Sequence, residues 1–110
     1  MSGRIRRTPR ARADLLAIHD YINDDNPSAA ARFLAAADEC FRLLAEFPEA
    51  GRAWSSDRPE LAGVRAHPIP RFANYLVFYR PASDGILVLA VLHAARDLDN
   101  VLPGYFGADR

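Results

Sequence analysis

Three residues of this 110-residue chain have types and positions that suit work on a phosphate. His93 closes the most apolar run of the sequence, 86–92, and a side chain at such a strand end can point into a cleft. Arg65 and Arg80 fall on two neighbouring expected strands. If both share a sheet face with His93, they form a basic cluster suited to a scissile phosphate. RNA cleavage needs a 2′-hydroxyl deprotonated, the phosphorane charge neutralised and the 5′-oxygen protonated. His93 could carry one proton transfer, and two guanidiniums could hold the phosphate. The pattern lacks an evident second acid or base. The plainer alternative is that Arg80 ends a strand beside an acid, and that Arg96-Asp97 forms an ion pair where the chain turns after His93. His19 and His67 read as surface or packing residues.

Other chemistries drop out. There is no Gly-rich phosphate loop, metal-ligand spacing or nucleophile elbow, so no cofactor is expected. Cys40 is the only cysteine, which excludes an intramolecular disulfide and a Cys-rich zinc module. Nothing approaches the ~18 apolar residues of a membrane span, and residues 1–12 lack the apolar core of a signal peptide. A cytoplasmic protein with no membrane partner is the expectation. Fourteen acids balance fourteen bases, and every base is Arg. Zero net charge argues against nucleic-acid binding by bulk electrostatics. The charge is unevenly placed: residues 1–12 hold five Arg and no acid, whereas 13–60 come to −6. The absence of Lys, beside 20 Ala, reads as genome composition.

The elements that must position these residues are legible in outline. Arg4-Ile5-Arg6-Arg7 is long enough only for an edge strand, where basic side chains discourage strand addition. Thr8-Pro9 and Asn26-Pro27 are cap-plus-proline helix starts. Ala11, Leu15, Ile18 and Ile22 are spaced 4, 3 and 4, and Ala30, Phe33, Ala37, Cys40, Leu44 and Phe47 continue at helical spacing. Two helices with so short a loop predict an antiparallel hairpin, with Cys40 as a buried, inert thiol. Residues 48–63 read as a loop in which Trp54 folds back onto the core. Strand signals follow at 64–67, at 74–80 and at 86–92, with Tyr75, Val77 and Tyr79 on one face and Leu76 and Phe78 on the other.

The run 86–92 predicts a strand buried on both faces, of which one helical hairpin covers only one. The tail at 98–106, or a protein partner, is expected to cover the second. The expected fold is a single α+β domain over residues 1–110: a short N-terminal strand, an antiparallel helical hairpin, a three-stranded antiparallel meander and a short C-terminal helix.

The ordered set of motifs resembles the ParE/RelE superfamily of type II toxins. Ala13-Asp14-Leu15, Ile18, Tyr21-Ile22, Pro27 and Ala30 open it. Phe47-Pro48 with Gly51, Gly63-Val64-Arg65 and Tyr75-Leu76-Val77-Phe78-Tyr79-Arg80 continue it. Val91-Leu92-His93 with Arg96-Asp97 completes it, and the likeness spans about residues 4–102. The last two motifs look like the ParE branch. The resemblance implies the same strand–helix–helix–three-strand fold. It also implies a cognate ParD-like antitoxin whose C-terminal segment covers apolar surface, in a heterotetramer or larger complex. ParE members inhibit DNA gyrase, trapping cleaved DNA and blocking replication; RelE members cut mRNA in the ribosomal A site. On the RelE alternative, Arg65, Arg80 and His93 are the catalytic candidates. On the ParE reading no residue is catalytic, and the candidate partner contacts are Trp54, Tyr75, Tyr79, Arg80, His93 and Arg96. Zero net charge fits a protein target better than ribosomal RNA.

Overall fold

Thr8 and Asn26 both do what a cap before proline does. In the computed structural model, which describes residues 3–54 and 59–95, the Thr8 hydroxyl accepts from Ala11 N–H at 3.0 Å and Asn26 Oδ1 accepts from Ala29 N–H at 3.1 Å. The prolines that follow occupy the first helical position, where a missing N–H costs nothing. The helices are α1, Pro9–Asp25, and α2, Pro27–Glu46. Asn26 alone separates them: its N–H donates to Ile22 O and its carbonyl receives Ala30 N–H. One residue thus ends one helix and starts the next, and the two pack together as the expected hairpin.

The strands are β1, Arg4–Arg7; β2, Arg52–Ala53; β3, Arg65–Ile69; β4, Phe72–Ala82; and β5, Gly85–His93. They form one sheet in the order β1-β5-β4-β3-β2. The meander β3-β4-β5 is antiparallel as expected, but among the described residues the sheet has five strands and is mixed. β1 lies parallel to β5, with Arg4 opposite Gly85 and Arg7 opposite Val88. Gly85 makes this approach possible, because a Cβ there would collide with the Arg4 backbone. On the far edge, β2 adds two residues beside Arg65 and Ala66. The expected C-terminal helix and the tail at 98–106 lie outside the described residues.

β5 is buried on both faces, as its composition demands. Ile86, Val88 and Val91 join Phe33, Cys40, Phe41 and Leu44 under the helices. Leu89, Ala90 and Leu92 lie on the other face with Phe78. A bulge sets this partition: Phe78 faces Ala90 and Tyr79 faces Val88, so Leu89 is the extra residue and shares a side with Ala90. Among the described residues, cover for the second face comes from the loop before β3. Trp54, Leu61 and Val64, from the segment before β3, pack against Phe78, Leu89, Ala90 and Leu92. Trp54 folds back as expected, edge-on to Phe78 at 5.2 Å between ring centroids. Among the described residues no helix is long and apolar enough to cross a membrane.

Candidate functional site

The sheet register separates the three residues that a phosphate site would bring together. Arg65 pairs with Tyr79 across β3 and β4, so its side chain stands on the helix-covered face. Arg80 is the next residue along β4 and therefore takes the opposite face. His93 pairs with Tyr75, four residues from Tyr79 along β4, and lies two strands away from β3. At ~3.3 Å per residue and ~4.8 Å per strand, this places His93 about 16 Å from Arg65. The shared face that a basic cluster required is therefore not formed.

Each arginine instead holds a loop. Arg65 donates from Nε to Gly51 O at 2.9 Å and from Nη2 to Glu49 O at 3.1 Å. Arg80 donates from Nε to Ala62 O at 3.1 Å and from Nη2 to Glu60 O at 2.6 Å. Five donors in a planar fork suit this bridging of successive carbonyls. Arg65 thereby fixes the segment leading into β2, and Arg80 fixes the 3₁₀ turn Pro59–Leu61 that carries Leu61 onto the second face of the sheet.

Tyr79 completes the first clamp. It is fully buried, which removes it from the expected partner contacts. Its hydroxyl donates to Pro48 O at 2.7 Å and accepts from Gly51 N–H at 2.9 Å. Gly51 allows this, since a Cβ there would strike the Tyr79 hydroxyl and Ala66 O. Burial pushes the Tyr79 pKa up, opposed by the Gly51 hydrogen bond and the Arg65 charge.

His93 belongs to an aromatic end of the sheet. Its ring stands edge-on to Tyr75 at 5.1 Å, and Tyr75 stands edge-on to Phe33 at 5.5 Å. His93 Nδ1 accepts from Ala95 N–H at 3.0 Å, which puts the proton of the neutral ring on Nε2. Tyr75 is half-buried; desolvation raises its pKa, as does neighbouring Tyr21. Trp54 is half-buried, and Arg96 lies outside the described residues. Trp54 also walls a mostly apolar groove of about 600 Å³ on the helix-free face, with Arg52, Ala66, Pro68 and Leu76.

Asp14 is a residue whose role sequence reasoning missed. From α1 its Oδ2 accepts from Val91 N–H of β5 at 3.0 Å, beyond the end of β1. An acid on the inner flank of an apolar helix stripe was the available signal. Among the described residues no cluster of three or more His, Cys, Asp or Glu could hold a metal.

Cys40 behaves as a buried thiol should. Its Sγ lies 3.8 Å from His67 Nδ1, which itself donates to Pro68 O at 2.7 Å. Burial pushes the thiol from its ordinary 9.0 to about 11. The folded chain holds this proton to about pH 11, whereas the unfolded chain gives it up near 9. Stability is therefore expected to fall as pH rises across that window. Urea midpoints at stepped pH should show the decline, and Cys40→Ala should flatten it.

Residues 5–98 match the family model described as the ParE toxin of type II toxin-antitoxin system, parDE. The chain is 36% identical over 89 residues to Toxin RelE2 of Caulobacter vibrioides, covering 81% of this chain and 92% of that protein. Among solved structures it is similar to the chromosomal ParDE TA system from P. aeruginosa, at TM-score 0.67 and 24% identity, over 84% of this chain and 96% of that one. It is also similar to the toxin-antitoxin complex RelBE2 from Mycobacterium tuberculosis, at TM-score 0.55 and 24% identity, over 87% of this chain and 95% of that one. The two structural likenesses bear on the fold.

Proposed function

Because the chain belongs to the ParE toxin family of type II toxin–antitoxin systems, we propose that it arrests growth by binding DNA gyrase, trapping the cleaved DNA complex and blocking replication. It acts in the cytoplasm and is neutralised there by a ParD-like antitoxin, in a heterotetramer or larger assembly. The observation that carries this reading is the dispersal of Arg65, Arg80 and His93. Two of the three each donate two hydrogen bonds to backbone carbonyls, and the third stands about 16 Å from Arg65. A ribonuclease must bring such groups to one phosphate, whereas a protein that acts by binding needs no such convergence. Zero net charge points the same way.

His93 gives the cleanest test, since substitution of either arginine also loosens a loop. His93→Ala is expected to arrest growth on induction as the native chain does. Loss of an essential acid or base would instead cost about 10²–10⁴-fold in rate. Primer extension on cellular mRNA after induction should show no codon-phased cuts. Phased cuts that vanish with His93→Ala would replace this reading with the RelE-like ribosome-dependent endoribonuclease.

A further inference from the structure

α1 carries its charges against its own dipole. The aligned peptides of a helix leave its N-terminal end positive and its C-terminal end negative, so acids suit the first turn and bases the last. α1 has no acid in its first turn and no base in its last. Arg10 and Arg12 stand near its N-terminus, and Asp20, Asp24 and Asp25 near its C-terminus. Asp25 borders the start of α2 and meets the positive end of that helix. Arg10, Arg12, Asp20 and Asp24 gain nothing from the helix they stand on.

The same side of α1 holds its exposed apolar residues. Ala11, Leu15, Ile18 and Ile22 pack on the core, which leaves Arg10, Ala13, Ala17, Tyr21 and Asp24 as an exposed row. Leu16 and Asp20 flank it. Tyr21 is 73% and Leu16 62% exposed, the two highest values among the described large hydrophobic residues. The steps along the row are 3, 4, 4 and 3, symmetric about Ala17, with a base at one end and an acid at the other.

A row of this kind is complementary to its own reverse. Two copies of α1 laid antiparallel about a two-fold axis at Ala17 set Arg10 of each copy against Asp24 of the other. Tyr21 then meets Ala13, large against small. Ala17 at the crossing permits helix axes about 8 Å apart. Arg10 also interacts within its own chain, but five guanidinium donors leave capacity for a second carboxylate. A parallel approach would set Arg on Arg and Asp on Asp, and a partner of one charge sign suits only one end of the row.

We propose that the outer face of α1 pairs with a second copy of this chain, as an antiparallel two-fold dimer. The pairing is independent of the gyrase and antitoxin readings above. Its interface is about one helix wide, so a dissociation constant on the order of 10 µM is expected.

Sedimentation equilibrium of the full chain from about 1 to 200 µM reads this association. The native chain should pass from monomer to dimer, and added salt should weaken the dimer. Asp24→Arg and Arg10→Asp each place like charges at both ends, and each alone should weaken pairing by more than about tenfold. Mixed one to one, the two variants should pair again, because every end then matches base with acid. Each substitution follows the helix dipole at an exposed position, so circular dichroism should show both chains folded. Recovery on mixing is a result that a change in folding alone does not give. A native chain that stays monomeric to about 200 µM would overturn the proposal. So would a dimer that ignores either substitution or fails to re-form on mixing. A monomeric chain whose antitoxin complex is weakened by Tyr21→Ala would assign this face to the antitoxin instead.

Discussion

Tyr79→Phe is expected to lower the unfolding free energy by about 2–4 kcal/mol, although the ring itself is retained. The phenyl group fits the same fully buried space, so no cavity opens. What goes is the hydroxyl that joins Pro48 O to Gly51 N–H. Leaving a buried donor or acceptor without its partner costs ~1–3 kcal/mol each, well above the mean worth of a hydrogen bond. Urea unfolding should show a lower midpoint at unchanged slope. Arg65→Ala combined with Tyr79→Phe should cost less than the two single changes added, because both side chains hold the same loop. A Tyr79→Phe midpoint equal to the native one would mean that this hydroxyl does not secure the segment before β2.

Phe33→Ala is expected to cost more, about 3–5 kcal/mol, through the transfer of a buried ring and the cavity it leaves. Phe33 is fully buried on α2 and stands edge-on to both Phe72 and Tyr75 at 5.5 Å. A domain of this size has ~5–15 kcal/mol in all, so the variant should sit near the limit of folding at 37 °C. Phe33→Leu, which refills most of the space, should restore the greater part. Thermal unfolding of the three chains would rank them native, Leu, Ala. Because Tyr75 holds the His93 ring, loosening this aromatic end should also broaden the His93 signals in NMR spectra.

Much of the frame was readable because it follows from local chemistry. Thr8-Pro9 and Asn26-Pro27 mark both helix starts to the residue, and the α2 stripe from Ala30 to Leu44 needs only helical periodicity. The faces of β4 follow from alternation alone. The parts that were not readable depend on pairing between distant segments. That β1 joins β5 in parallel rests on Gly85 leaving room for the Arg4 backbone, 81 residues away in sequence. The bulge at Leu89 cannot be seen in a run where every residue is apolar. Leu61, Val64 and Trp54 show no period, so their joint cover of the second sheet face appears only once the loop is folded.

The candidate site shows the same limit. Arg65 and Arg80 were found as neighbours on adjacent strands, and that is where they lie. Their opposite faces follow from the register that sets Arg65 against Tyr79, and no single-strand pattern supplies it. The place of Tyr79 in the Tyr-Leu-Val-Phe-Tyr-Arg motif points to a contact for a partner. The fold spends it on the chain's own loop, where a buried hydroxyl finds both an acceptor and a donor.

The proposed action of this toxin is binding to gyrase and not cleavage of RNA. Purified DNA gyrase with supercoiled plasmid and increasing amounts of the toxin tests it most directly. A gyrase-binding toxin should abolish supercoiling activity and accumulate linear, protein-linked DNA, and His93→Ala should do the same. Unchanged supercoiling and no trapped cleavage at toxin levels that arrest growth would contradict it.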